Sequence, residues 1–503
     1  MAVQQAIESS LKAAFSPEKI DFSPDTLRHY AASIHGSICM PAAVVRPTDE
    51  SDILELVRLA RQHRFTVFPI SRGKNLGYGD AHGTTAGQVI LDLSNMARIL
   101  EVNDQLGYAT LEPGVSQGQL YDYIRQNRLG VQMDVTGAGL QASIIGNVLE
   151  RGFGHTDYGD RFSRIVNLRA VLMDGSIIDT GFADQAAADA ANTYRPGFGP
   201  VIEGLFSQSN FGIVTRMTLE LMPIPEKTVM FAVSAKKPAD IDGIIHAIRE
   251  LKLKGVLYSA VHIANRSRAL GNVEDRVLGA WNLSGSIAGP RILVRARKRI
   301  VRKVFAQHLR GHRLVFIDHF RMKVLGWVHK NILSLSFYPT LHEVFQEQNG
   351  IPTDDPLKTL LDDREATSAD LSIGKYPTCF SWINAVCKAE PESIRKVIGS
   401  LENIFEEHGY EFRVTMTAVN PRTFILISNI TYPRTEEEIK KAKAFKHACY
   451  AMLTKEGFLP YRSGSGMFDN LPPYSAAREA LLKRLKDVFD PERLLAPGKY
   501  NIE

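Results

Sequence analysis

Cysteine is scarce in this chain: Cys39, Cys379, Cys387 and Cys449 stand far apart, in no metal-ligand or disulfide-framework spacing. A zinc site or a disulfide-stapled scaffold is therefore excluded, and the four thiols are expected to be reduced and buried. Long apolar runs are missing too. None reaches the roughly 18 residues of a bilayer-crossing helix, and residues 1–19 lack the apolar core of a signal peptide. Nor does one sign of charge dominate. Sixty Lys and Arg face 55 Asp and Glu, a net of +5, too mild an excess for a nucleic-acid binder of this length. The two denser basic runs, 291–302 and 440–443, read as solvated helix faces. Internal repeats and low-complexity tracts are absent. The expectation is a cytoplasmic protein with no nucleic-acid and no membrane partner.

What is present is ordinary globular usage on a long chain. Over 503 residues, 44% are hydrophobic and 23% charged, enough for two or more domains. The organisation is mixed. Residues 1–35 look helical. Strands are expected over 42–47, 65–70, 88–93 and 108–115, with helices after the capping run Thr48–Asp52 and over 118–128. A hairpin is expected at 165–180 around Asp174-Gly175. The pair Pro223 and Pro225 reads as a boundary. Beyond it, strands near 229–233 and 424–430 alternate with amphipathic helices 241–251, 391–408 and 436–456, and the chain ends in a helix over 475–489. The fold class is α+β, not a long parallel series.

The stretch with most chemistry is Ser71-Arg72-Gly73-Lys74-Asn75-Leu76-Gly77-Tyr78-Gly79, directly after the strand Phe65–Ile70. Glycine admits positive φ and close approach, so a run of amides can turn inward around an anion. Arg72 and Lys74 bring positive charge to the same place. The pattern fits neither G-x-x-x-x-G-K-[ST] nor G-x-G-x-x-G. A second glycine-bearing segment holds Gly137-Ala138-Gly139, Ile145-Gly146-Asn147, and Arg151 through Asp160 with Gly154, His155 and Tyr158. Backbone of that kind lies against something flat or charged. Taken together, the two segments point to a large phosphate-bearing ligand.

Several short motifs in one order resemble the vanillyl-alcohol oxidase / p-cresol methylhydroxylase family of FAD-linked oxidoreductases. They are the loop 71–79, Leu111–Val115, Ile145-Gly146-Asn147, Arg151-Gly152, Tyr158–Asp160, Gly197–Pro200, Ser207–Thr215 and the tail Pro491–Gly498. The resemblance is dense over 42–225 and 456–499 and thin between. It implies an FAD-binding domain of two α+β subdomains over 1–225, an α+β cap with an antiparallel sheet over 226–455, and a segment 456–503 returning to the FAD site. FAD would lie with its pyrophosphate against 72–77, beside Ser71, and with the rest along 137–160 and 207–214, Gly212-Ile213-Val214 included. Tyr78, Tyr461 and Arg462 stand where the family binds a phenolate. Hydride would leave the benzylic carbon of a para-substituted phenol, giving a quinone methide that is hydroxylated or oxidised further. The partners implied are an aromatic substrate, oxygen or another electron acceptor, and further copies of the chain in a homodimer or larger homo-oligomer.

This sequence departs from the family in four places. Thr136–Gly139 has no carboxylate where some relatives carry an Asp, and His155 stands where relatives usually have Tyr. The cap region 371–386 has no His, so FAD is expected to be non-covalent, with Tyr376 and His82 as the alternative attachment points. The cap pocket around Thr415 and Phe424 has apolar or hydroxyl residues in place of charged ones. Two other readings follow from these departures: oxidation of a larger natural product or a non-phenolic alcohol or amine, and a redox-silent binding protein on the same scaffold.

Overall fold

A computed structural model describes residues 2–185, 187–270, 278–335, 337–361, 363–369, 371 and 373–503. Three main sheets organise the described chain. In the first, Val67–Ile70 and Ala43–Val45 both run parallel to Val89–Asp92, and Ile20–Asp21 closes one edge antiparallel. All three parallel strands are apolar runs, as strands covered on both faces must be. The second is antiparallel, in the order Ile99–Asn103, Tyr108–Leu111, Ile213–Glu220, Ile165–Val171, Ile177–Asp179. The third has seven strands, all paired antiparallel and all drawn from residues 227–433. Its edges are Arg313–Ile317 and Thr378–Lys388.

Local signals account for much of this. Asp49 caps the helix Glu50–His63 by accepting from the Ser51 and Asp52 amides, and the helix ends at Arg64 in the left-handed conformation. The basic runs form exposed faces of the helices Arg291–His308 and Glu436–Lys455. Residues 1–35 are less uniformly helical than the pattern suggests: the short strand Ile20–Asp21 separates the helices Ala2–Ala14 and Pro24–Ala31. Three cysteines are buried and all four thiols are free, but Cys39 is only half-buried.

The largest core lies in the cap, where Phe405 and Phe445 meet edge to face at 5.0 Å, both fully buried. Each such ring contributes about 3 kcal/mol by burial. The tail then crosses back to the first sheet. Leu495 bridges Val67 in parallel, with the Val67 amide donating to the Leu494 carbonyl at 2.8 Å. The last residues of the chain thereby help to wall the site built on residues 71–79.

Candidate functional site

The parallel register Ile70↔Asp92 carries the strand Val67–Ile70 out of the sheet and into the glycine loop. Arg72 staples that loop to two others. Its Nη1 donates to the Gly114 carbonyl at 2.9 Å and its Nη2 to Gln141 Oε1 at 2.6 Å. From the cap, Trp382 Nε1 donates to the Leu76 carbonyl at 3.0 Å. Gly77 makes that approach possible: a Cβ there would lie 2.3 Å from Trp382 Nε1, and φ is +77°. Any other residue would drive the loop and the cap strand apart.

These segments enclose a cavity of about 1170 Å³ running from Asn210 and Lys499 into the cap. Of the residues singled out in the sequence, Ser71, Arg72, Gly73, Lys74, Asn75, Leu76, Tyr78, Gly137, Ala138, Gly146, Asn147, His155, Gly212, Ile213, Val214, Tyr461 and Arg462 line it. Six stand behind the wall. Gly77 packs on Trp382, Gly139 faces Leu357 and Asp354, and Ile145 is fully buried in the core. Arg151 donates to Ser207 Oγ at 3.1 Å, Gly154 abuts Asp134, and Tyr158 lies under the Arg164 guanidinium at 3.9 Å. They shape the wall from outside.

The lining suits a dinucleotide with a pyrophosphate. Arg72 Nε is buried with no partner among the described residues, and so is Asn210 Oδ1 at the far end. Gly146 sits so close to the glycine loop that a Cβ would lie 2.9 Å from Ser71 Oγ, so the two backbone segments bound a narrow slot. Arg72 and Lys74 would hold the pyrophosphate there by charge.

At the cap end, three side chains from two distant segments meet. The Tyr78 and Tyr461 hydroxyls are 3.5 Å apart, and the Arg462 guanidinium lies 3.9 Å from the centroid of the Tyr78 ring. Arg462 also donates to Asn75 Oδ1, while its Nε is buried with no partner among the described residues. The Tyr461-Arg462 backbone is pinned on both sides. Asn384 Oδ1 accepts from the Tyr461 amide at 3.1 Å and Asn384 Nδ2 donates to the Arg462 carbonyl at 3.2 Å. Gln208 Nε2 donates to the Tyr461 carbonyl at 2.9 Å. Burial pushes the Tyr78 hydroxyl well above its usual pKa, Tyr461 adds to the rise, and Arg462 opposes it. Tyr78 therefore remains a neutral O–H donor at physiological pH.

Deeper in the cap lies a second polar group. His155 Nε2 is 3.2 Å from Glu347 Oε2, and the His155 and His262 rings face each other at 4.3 Å. His262 Nδ1 is 3.0 Å from Thr417 Oγ1. His155 Nδ1, His262 Nε2 and Glu347 Oε1 are buried with no partner among the described residues. Burial lowers His155 to about 4 and raises Glu347 well above the carboxylate range. Burial thus favours the neutral form of both groups. Glu347 Oε1 also lies against Gly137, 3.2 Å from where a Cβ would be.

With the geometry in hand, three comparisons bear on what the cavity holds. Residues 41–181 match the family model described as an FAD binding domain. The chain is 29% identical over 494 residues to the 1'-carboxy-chondrochloren decarboxylase of Chondromyces crocatus, covering 91% of this chain and 90% of that one. It is 27% identical over 498 residues to the 4-cresol dehydrogenase [hydroxylating] flavoprotein subunit of Pseudomonas putida, covering 92% and 88%. The crystal structure of p-cresol methylhydroxylase with substrate bound superposes with a TM-score of 0.86 at 25% identity, over 100% of this chain and 96% of that one. Over nearly its whole length the chain is similar to members of the vanillyl-alcohol oxidase / p-cresol methylhydroxylase family. It is an FAD-dependent oxidoreductase with the α+β, capped architecture of that family.

Within this family framework, His82 and Tyr376 do not line the cavity. Both His82 ring nitrogens are engaged, with Ser37 Oγ at 2.6 Å and the Gly83 carbonyl at 2.7 Å. The Tyr376 hydroxyl donates to Asp363 at 3.3 Å. In the cap, Thr415 lines the cavity, whereas Phe424 lies in the hydrophobic core. Sequence reasoning missed Glu150, His262, Glu343, Glu347 and Trp382, all of which line the cavity. Glu150 accepts from Tyr500 Oη at 2.7 Å and pairs with Lys499 at 3.0 Å. None of these sits in a motif. The one available signal was Glu343 and Glu347, spaced four apart and so on one face of a helix.

Proposed function

We propose that this chain oxidises a para-substituted phenol at its benzylic carbon, with Tyr78, Tyr461 and Arg462 holding the phenolate. The observation that carries the proposal is the meeting of two tyrosine hydroxyls, 3.5 Å apart, with a guanidinium 3.9 Å from the Tyr78 ring. FAD, when bound, supplies the two-electron acceptor for hydride. Two O–H donors and one cation around a single oxygen favour phenolate over phenol. The phenolate pushes electron density to its para position, where loss of hydride leaves a quinone methide. Water adds to the methide at the benzylic carbon. The proton released has an acceptor in His262 Nε2, the ring proton then sitting on Nδ1 toward Thr417 Oγ1. The similarity to the 4-cresol dehydrogenase flavoprotein subunit over nearly the whole chain supports this substrate class.

The test is anaerobic bleaching of the flavin by 4-alkylphenols and by their O-methyl ethers. The phenols should reduce it and the ethers should not. Arg462→Ala removes about 3 kcal/mol of charge stabilisation, so bleaching should slow by roughly a hundredfold. Tyr461→Phe should slow it by about tenfold. Equal rates in wild type and both variants would remove the phenolate role. A larger phenolic substrate is favoured by one feature: besides His262, the apolar side chains of Met230, Ile317, Leu341 and Val344 line the cavity.

A further inference from the structure

The basic run of the cap does not stand alone on its face of the molecule. Between Arg291 and Leu333 the chain holds twelve Lys and Arg and a single acidic residue, Asp318, a net of +11 in a protein whose whole net is +5. The stretch holds the two helices Arg291–His308 and His319–Asn331; Lys298 and Arg302 of the first both lie over the ring of Phe316, at 4.7 and 5.3 Å, three residues before the second begins. The second helix also shows large apolar side chains to solvent. Phe320, Val324 and Trp327 fall on one stripe at spacings of four and three, and Ile332 and Leu333 follow it. Phe320 is 75% exposed, Trp327 59% and Ile332 67%. Residues of the same stripe, Phe320 and Val324, line the outer end of the cavity together with Arg313 and Arg321.

We infer that this face seats on an anionic lipid surface, with Trp327, Ile332 and Leu333 entering the interfacial region and the lysines and arginines contacting headgroups. An exposed apolar stripe flanked by cations is the composition of an interfacial helix, and Trp favours the headgroup level because one edge is apolar and the other polar. A second copy of this chain fits worse: a two-fold contact would set like-charged stretches against each other. A protein docked here would also cover the cavity mouth, whereas a bilayer presents that mouth with apolar solutes. No helix among the described residues is long and apolar enough to cross a membrane, so the contact would be peripheral. This revises the expectation from the sequence, which read the basic run as a merely solvated face. The inference does not depend on the phenol reading.

The experiment is flotation of the full FAD-loaded chain with vesicles of phosphatidylcholine alone or mixed with phosphatidylglycerol. Binding is expected to the mixed vesicles only. It should fall by tenfold or more from about 0.1 M to about 1 M salt, as the screening length shrinks from about 10 Å to about 3 Å. Lys323→Glu with Lys330→Glu should weaken it strongly, since each cation at the surface is worth about a fivefold gain. Trp327→Ser with Ile332→Ser should weaken it about tenfold while FAD content and melting temperature stay at wild-type values. As an independent readout, brominated lipid in the mixed vesicles should quench Trp327 fluorescence. The idea is overturned if mixed vesicles leave the protein unbound at low salt, or if both double variants bind as wild type does. It is equally overturned if Trp327 is buried in a dimer or captured only by an acidic protein.

Discussion

Asp80 sits in the left-handed region at φ +53°, one residue after Gly79, almost fully buried. Burial raises its pKa to about 7, against the lowering pull of the Ile34 amide at 2.7 Å and of Arg434. Between the unfolded value near 4 and the folded value near 7, the native state holds a proton that the unfolded chain has given up. Stability therefore falls as pH rises through that window. Asp80→Asn tolerates the same backbone conformation and keeps an acceptor for Ile34. The variant is expected to lose on the order of 2 kcal/mol less stability than wild type between pH 5 and pH 8, read from urea midpoints at the two pH values. At this scale the sequence was partly legible. Tyr78 and the Tyr461-Arg462 pair stand in recognisable local contexts, and the structure brings them together. His262 and Glu347 stand in no motif, and each meets His155 only through the packing of the cap.

Among the elements, the helix Ala476–Phe489 shows how tightly the tail is tied to the site. Lys486 and Asp490 form an ion pair at 2.8 Å with both side chains fully buried. Lys486 Nζ also donates to the Asn210 carbonyl at 2.8 Å and the Leu495 carbonyl at 3.0 Å, while Asp490 accepts from the Leu494 and Leu495 amides. Burial lowers the Lys486 pKa, and Asp490 opposes that shift. Removing one partner strands the other charge. Lys486→Met should therefore cost about 3–5 kcal/mol in denaturant unfolding. Adding Asp490→Leu should return part of that loss, because the stranded carboxylate is gone. The helix itself was readable from its period, but its buried lysine was not. A lysine in such a pattern is ordinarily solvated, and only the return of residues 494–496 to the first sheet encloses this one.

Across the whole molecule, one cavity is walled by all three parts of the chain: the loop 71–79 and segment 136–155, the cap strands, and the tail from Tyr461 to Lys499. A ligand filling it would hold these parts together in the native state and have no such site on the unfolded chain. FAD is therefore expected to stabilise the protein by about 4 kcal/mol when free FAD is a thousand times its Kd. The measurement is calorimetry of the FAD-free and reconstituted protein. One transition is expected for the reconstituted form, and a rise in melting temperature with FAD concentration. Equal melting temperatures with and without FAD would deny the cavity that role.

The amino-acid sequence by itself determined the α+β class, the glycine loop behind its strand, the helix caps and the order of motifs that marks the family. Those are local properties, set by backbone freedom, period and charge over a few residues. Only the tertiary structure decided that Gly77 serves the approach of Trp382 rather than the cavity wall, and that Glu347 reaches Gly137 from a helix over two hundred residues away. It also set Lys298 and Arg302 over Phe316, just ahead of the helix that carries the apolar stripe. Proximity between distant segments depends on how the cap packs over the loop, and no spacing along the chain encodes it.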